Sequence, residues 1–175
     1  MYNDFVLLGT PEMKAKFAGK NIAEAFKIIE TENIKFVSRG DKSGTHDKEK
    51  SVWTTALGKV PEKQPWYLEA GQGMIATINI AAEQKGVTLT DRGTFIKYEA
   101  THKGNPPLVI VYEGADALKN FYSVMAVNPQ RCSNADYKGA LTFIEWITTD
   151  KIQTEIANFK LLDKQLFYPD FKTRA

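Results

Sequence analysis

Apolar residues recur along this chain in short blocks that alternate between strand-like runs and helix-like spacing. Phe5-Val-Leu-Leu8 is a continuous apolar run closed by Gly9 and Pro11, the pattern of a short buried strand. Asn21 stands before Ile22, Ala25, Phe26 and Ile29, whose three- and four-residue spacing predicts a capped helix ending at Asn33. Ile34 to Val37 predicts the next strand. Val52, Trp53, Ala56 and Leu57 then mark the inward face of a helix from about Thr45 to Leu57. Trp66-Tyr-Leu68 is a brief apolar run punctuated by Gly71 and Gly73. A strong helix starts near Gly73 and runs through Met74, Ile75, Ile78, Ala81 and Ala82 to Gly86.

Thr88-Leu-Thr90 leads into Asp91-Arg-Gly-Thr94, which reads as the capped start of a turn or helix. Asn105-Pro-Pro107 breaks the chain. Leu108 to Tyr112 and Tyr122 to Val127 predict two strands, the second stopped by Asn128-Pro129. Ala135 to Thr148 and Lys151 to Asn158 predict helices. Strands alternating with helices imply an α/β architecture with a mostly parallel sheet. No internal repeat or low-complexity segment interrupts it.

Composition narrows the function classes. The 175 residues suffice for one ordinary domain or two small lobes with a real core. A formal charge of +2 is too small to argue for nucleic acid, and no arginine-rich helix or zinc-ligand spacing is present. One cysteine, Cys132, excludes an intrachain disulfide and leaves the compartment open. No run approaches the ~18 apolar residues that a membrane span needs. Met1-Tyr-Asn-Asp-Phe5 lacks the basic and apolar regions of a secretory signal, so these residues read as a soluble chain without an export address.

The chemistry concentrates in Phe36-Val-Ser-Arg-Gly-Asp-Lys-Ser-Gly-Thr-His46, between a predicted strand and a predicted helix. A helix N-terminus carries unpaired N–H groups and partial positive charge, so it can hold an anion. Gly40 and Gly44 let the backbone close around a small ligand. Arg39 supplies a fixed charge, and Ser38, Ser43 and Thr45 supply hydroxyls. A solvated capping turn is the alternative. Arg39 weighs against it, because a capping loop has no need of a cation beside an already positive helix end.

Gly71-Gln-Gly73-Met-Ile-Ala76 matches the Gly-x-Gly-x-x-Ala dinucleotide pattern, with Asp91 about where a ribose-binding acid belongs. The preceding run is short for a central strand, however, and Asp91 looks like a helix cap. Tight strand–turn–helix packing, or a second helix N-terminus facing an oxyanion, are the competing readings. Arg92 and Thr94 stand at a further helix start, either engaged locally or supporting the first site. Cys132, His46 and His102 form no pattern of nucleophilic catalysis, the acids are not paired as in a hydrolase, and no metal-ligand spacing appears. Trp53, Trp66, Tyr67 and Trp146 read as packing residues.

Taken together, Tyr2-Asn-Asp-Phe-Val-Leu-Leu-Gly9, the Phe36–His46 block, Trp66-Tyr-Leu-Glu-Ala-Gly-Gln-Gly-Met74, Leu89-Thr-Asp-Arg-Gly-Thr94 and Ala126-Val-Asn-Pro129 resemble the tungstate-binding (TupA-type) solute-binding proteins of ABC importers. The resemblance covers nearly the whole chain, and the arginine loop is its most specific part. It implies a type II periplasmic-binding-protein-like fold, here one complete ligand-binding lobe (1–128) plus a C-terminal helical segment (129–175) of the second lobe. Family members carry a further strand–helix region, with its own ligand loop, before the Tyr-Asn-Asp-Phe block. On that basis the chain is expected to lack half the anion's donors and to bind weakly or not at all.

The resemblance further implies a non-enzymatic protein that traps tungstate or molybdate between two lobes and delivers it to an importer permease. The expected location is periplasmic or extracytoplasmic, with the membrane reached only through the permease and no cofactor. Arg39, Ser43 and Thr45 would match ligand-site residues, with Ser38, Gly44, Arg92 and Thr94 as support. An apolar face along Ala135 to Ile156 would favour a homodimer or aggregation. The competing classes are a nucleotide-binding enzyme domain using the Gly71–Ala76 turn and the effector domain of a transcription regulator.

Overall fold

The computed structural model describes residues 1–171. In chain order the elements are β1 (Tyr2–Gly9), a 3-10 turn (Pro11–Met13), α1 (Lys14–Phe17), α2 (Ile22–Thr31), β2 (Phe36–Ser38), α3 (Gly44–Leu57), β3 (Tyr67–Glu69), α4 (Met74–Glu83), β4 (Thr88–Asp91) and α5 (Arg92–Thr101). They continue as β5 (Val109–Tyr112), a 3-10 turn (Asp116–Leu118), β6 (Lys119–Phe121), α6 (Tyr137–Ile147), α7 (Asp150–Asn158), β7 (Lys160–Leu161) and β8 (Lys164–Gln165). Two compact units result: one is Asp4–Lys119, the other gathers residues 1–3 with the described residues from Asn120 onward.

Within the Asp4–Lys119 unit, β2 and β3 pair in parallel, Phe36 opposite Tyr67 and Ser38 opposite Glu69. Phe36 also bridges in parallel to Val87, and the Val37 N–H donates to the Val87 carbonyl at 2.8 Å. β1 lies between β4 and β5 and is antiparallel to both. The sheet is therefore mixed rather than mostly parallel. Helical crossovers through α3 and α4 keep β2, β3 and the Val87 strand parallel. β1 precedes those crossovers and enters from the opposite direction, which alternation of strands and helices does not reveal.

Both faces of this sheet are covered, and β1 shows why its sequence is a continuous apolar run. Leu7 joins Phe26, Ile29, Phe36, Val52, Trp53 and Leu89 in one core, while Val6 and Leu8 join Val37, Met74, Ile78, Phe95 and Leu108 in the other. α2 is fixed at its start by a capping box, in which the Asn21 side chain accepts from the Glu24 N–H and Glu24 accepts from the Asn21 N–H. Between α4 and β4 the chain passes close to the Lys35 backbone. A Cβ on Gly86 would lie 2.4 Å from the Lys35 carbonyl oxygen. Gly86→Ala is expected to cost about 1–3 kcal/mol through this overlap. Urea unfolding checks it, and a wild-type midpoint would show that the Lys35 backbone gives way freely.

In the other unit, Tyr2 and Tyr168 exchange backbone hydrogen bonds of 2.9 Å and stack their rings at 5.2 Å. Asn120 Nδ2 donates to Asn3 Oδ1 at 2.8 Å. α6 and α7 are capped by Asp136 and Thr149, and neither contains a buried residue. Leu141, Phe143 and Trp146 of α6 are exposed. The strand expected over Tyr122 to Val127 does not form; Lys119–Phe121 pairs with β1 instead. The reason is visible in the burial: Tyr122, Val124, Met125 and Val127 are all exposed, so this β-prone run has no sheet face to cover.

Candidate anion site

Because β2, β3 and the Val87 strand run parallel, their C-terminal ends share one edge of the Asp4–Lys119 unit. Each feeds a helix: Ser43 caps α3, Gly73 caps α4 and Asp91 caps α5. In open α/β sheets ligands bind beyond the carboxyl ends of parallel strands, and helix starts there present amide donors. The Ala70 N–H donates to the Ser38 carbonyl at 2.9 Å, tying the loop after β3 to the end of β2. Gly40 completes the approach. Its φ is +63°, and a Cβ there would sit 2.9 Å from Glu69 Cβ and 3.3 Å from the Gly71 N.

The arginine loop is wound tightly on itself. Arg39 Nε lies 2.7 Å from Asp41 Oδ2, its side chain 23% exposed, and Nη1 is 3.5 Å from Thr45 Oγ1. Asp41 also accepts from the Ser43 N–H at 3.1 Å. The Ser43 hydroxyl, with its amide and Arg39, holds the Asp41 carboxyl below the usual range. Lys42 adopts φ +59°, and its N–H donates to Nδ1 of the buried His46 at 3.1 Å. Ser43 Oγ accepts from the His46 N–H at 3.4 Å. Arg39, Ser43, Gly44 and Thr45 are thus gathered around one helix start, whereas Ser38 is fully buried at the end of β2 with its hydroxyl toward Glu49. Gly44 and Thr45 contribute first-turn amides, which have no intrahelical acceptor.

Arg92 and Thr94 are engaged elsewhere. Arg92 donates to both Asp4 oxygens, at 2.7 and 2.6 Å, and to Glu113 at 2.5 Å. Its hydrogen bonds to Asp4 outweigh its partial burial and push its pKa up, so it clamps β1 to the segment after β5. The Thr94 N–H and hydroxyl donate to Asp91 at 2.8 and 2.6 Å. Asp91 is both the last residue of β4 and the cap of α5. β3 is a three-residue strand paired with β2, not a central strand of a dinucleotide fold. α4 begins at Gly73 with no side-chain cap, so its first-turn amides face the same edge unclaimed by a side chain. Cys132 is exposed in the other unit, and among the described residues no cluster of metal-ligating side chains occurs.

Sequence reasoning misses Glu49. This acid is 1% exposed and accepts from the Tyr67 hydroxyl at 2.6 Å. Burial pushes its carboxyl up to about 7, against the opposing pull of Tyr67, Ser38, the Arg39 N–H and Trp53. Its own burial and the nearby Glu49 push the Tyr67 hydroxyl up as well. A signal was present: Glu49 falls four residues after Thr45 and four before Trp53, on the inward stripe of α3.

Residues 1–151 match the sequence profile of the PBP superfamily domain. This chain belongs to that family. Among relatives of this PBP-superfamily chain is the tungstate-binding protein TupA of Campylobacter jejuni subsp. jejuni serotype O:2, 59% identical over 174 residues that cover 99% of this chain and 64% of that protein. The tungstate-binding protein TupA from Desulfovibrio alaskensis G20 superimposes with a TM-score of 0.91 at 49% identity, covering 97% of this chain and 68% of that one. A LysR substrate-binding domain of a periplasmic protein from Wolinella succinogenes shares 71% identity at a TM-score of 0.76, covering 91% and 68%. The resemblance read from the sequence motifs is borne out, as is the type II binding-protein-like α/β fold. The chain spans 50–64% of the length of the curated relatives it matches.

Proposed function

We propose that this chain captures a tetrahedral oxyanion, tungstate or molybdate, for an ABC importer, outside the cytoplasm and without catalysing a reaction. The observation that carries the reading is the Arg39 loop: a cation held by Asp41 and Thr45 over the start of α3, at the carboxyl edge of parallel strands. A tetrahedral dianion offers acceptor oxygens in several directions, and amides of α3 and α4 with the Arg39 guanidinium answer them. Charge-assisted donors are roughly twice as strong as neutral ones. The curated relatives named for tungstate support the ligand class, and a relative from Haloferax volcanii described as an anion-binding protein of an ABC transporter supports the partner. Neither a nucleotide-binding enzyme nor a transcription-regulator domain is favoured beside them.

Isothermal titration with tungstate, with molybdate and sulfate in parallel, tests this. Arg39→Ala is expected to weaken tungstate binding by at least about tenfold, the loss of one charge-assisted contact, with an unchanged melting temperature. Equal affinity in Arg39→Ala would remove the loop from the site. No heat with any of the three anions would overturn the reading for this chain.

A further inference from the structure

Glu49 stands directly behind the arginine loop. It lies on α3, whose start presents Ser43, Gly44 and Thr45, and it faces the Ser38 hydroxyl and the Arg39 backbone N–H at the end of β2. We propose that Glu49 is a proton-linked positioning residue, neutral when an oxyanion occupies the Arg39 loop and a repulsive carboxylate when it ionises. The inference rests on the anion reading above.

Three features of the geometry support it. The carboxyl is sealed from water and faces the Arg39 backbone N–H, so its charge is poorly screened toward an anion held at Arg39. One oxygen accepts from Tyr67 at 2.6 Å, an arrangement open to either protonation state. Ser38 Oγ and Trp53 Nε1 are buried beside it without a hydrogen bond of ordinary geometry, which leaves donors in reserve for the ionised form. Both states therefore have partners. A group that fills either charge state near pH 7 is available as a switch, and burial places Glu49 there.

The groups facing Glu49 are few. From β3 comes the Tyr67 hydroxyl, with Glu69 acting on Tyr67; from β2 come Ser38 and the Arg39 amide, with the guanidinium beyond. α2 presents apolar Ala25, Phe26 and Ile29 to the same core, and β4 places Leu89 and, by alternation, the carboxylate-bearing Asp91 on that face. On α3 itself the neighbours are His46, one turn earlier, and Trp53, one turn later. Bringing a dianion to the Arg39 loop favours the neutral carboxyl. Binding then takes up a proton near pH 7, and affinity falls as pH rises through that value.

The test is titration of the whole chain with micromolar tungstate at pH 6.0 and 8.5, in buffers of different ionisation enthalpy. Wild type is expected to lose roughly five- to tenfold in affinity between the two, given one unit of anion-linked shift, with net proton uptake near pH 7. Glu49→Gln should keep the low-pH affinity and lose both effects. Tyr67→Phe, which removes a donor to the carboxylate, should move the pH dependence upward. Binding whose pH dependence and proton uptake are unchanged in Glu49→Gln overturns the proposal and assigns the effect to other groups, His46 included. Absence of binding at either pH in every variant overturns the anion reading itself, and this coupling with it.

Discussion

Trp53→Ala is expected to destabilise the Asp4–Lys119 unit by about 3–5 kcal/mol, the usual cost of emptying a large aromatic site in a core. Trp53 is fully buried, and its ring meets Phe26 at 4.5 Å edge-on, Phe36 at 5.0 Å, Trp66 at 5.7 Å and Tyr67 at 6.2 Å. It ties α2, α3, β2 and β3 into one cluster, so no single element can move to fill the void. Against a total stability of roughly 5–15 kcal/mol, this loss is a large share of the whole. Urea unfolding followed by circular dichroism reads it. A change below about 1 kcal/mol would mean that the aromatic cluster collapses onto the vacancy. Binding should fail secondarily, because β2 and α3 carry the arginine loop.

The parts of the fold that the sequence discloses are those written locally. Asn21 and Asp91 are caps whose side chains accept from the third residue of their helices, and both are recognisable from residue type and spacing. The arginine loop is legible for the same reason: Gly40 and Ser43 each perform a backbone task that few residues perform, whereas the positive φ of Lys42 has no such signal. What stays hidden is set by partners distant in sequence. The antiparallel insertion of β1 depends on Asp91 and Tyr112 regions some eighty or more residues on. Arg92 reads as either locally engaged or supporting the site until Asp4, 88 positions away, is found to hold the Nε–Nη2 edge of its guanidinium. Tyr67 reads as plain packing, since nothing near it announces that its hydroxyl ends on Glu49.

Glu49→Gln is expected to change the shape of the stability curve with pH. Burial raises the folded-state pKa of Glu49 from 4.5 to about 7. The folded chain therefore binds this proton more tightly than the unfolded chain does. The stability tied to it is fully present below pH 4.5 and is lost as pH rises through about 7. A shift of that size corresponds to about 3 kcal/mol at about 1.4 kcal/mol per unit. Asp41, Glu30 and Asp116 are shifted downward, so they act in the opposite sense at lower pH. They are common to both proteins and cancel in the difference. Gln keeps an acceptor for Tyr67 and never ionises. The stability difference between variant and wild type should then swing toward the variant by about 3 kcal/mol from pH 4 to pH 8.5. Parallel denaturant titrations across that range measure the swing. A flat difference would show that Glu49 keeps one charge state throughout, and that the Tyr67 pair is a fixed strut between β3 and α3.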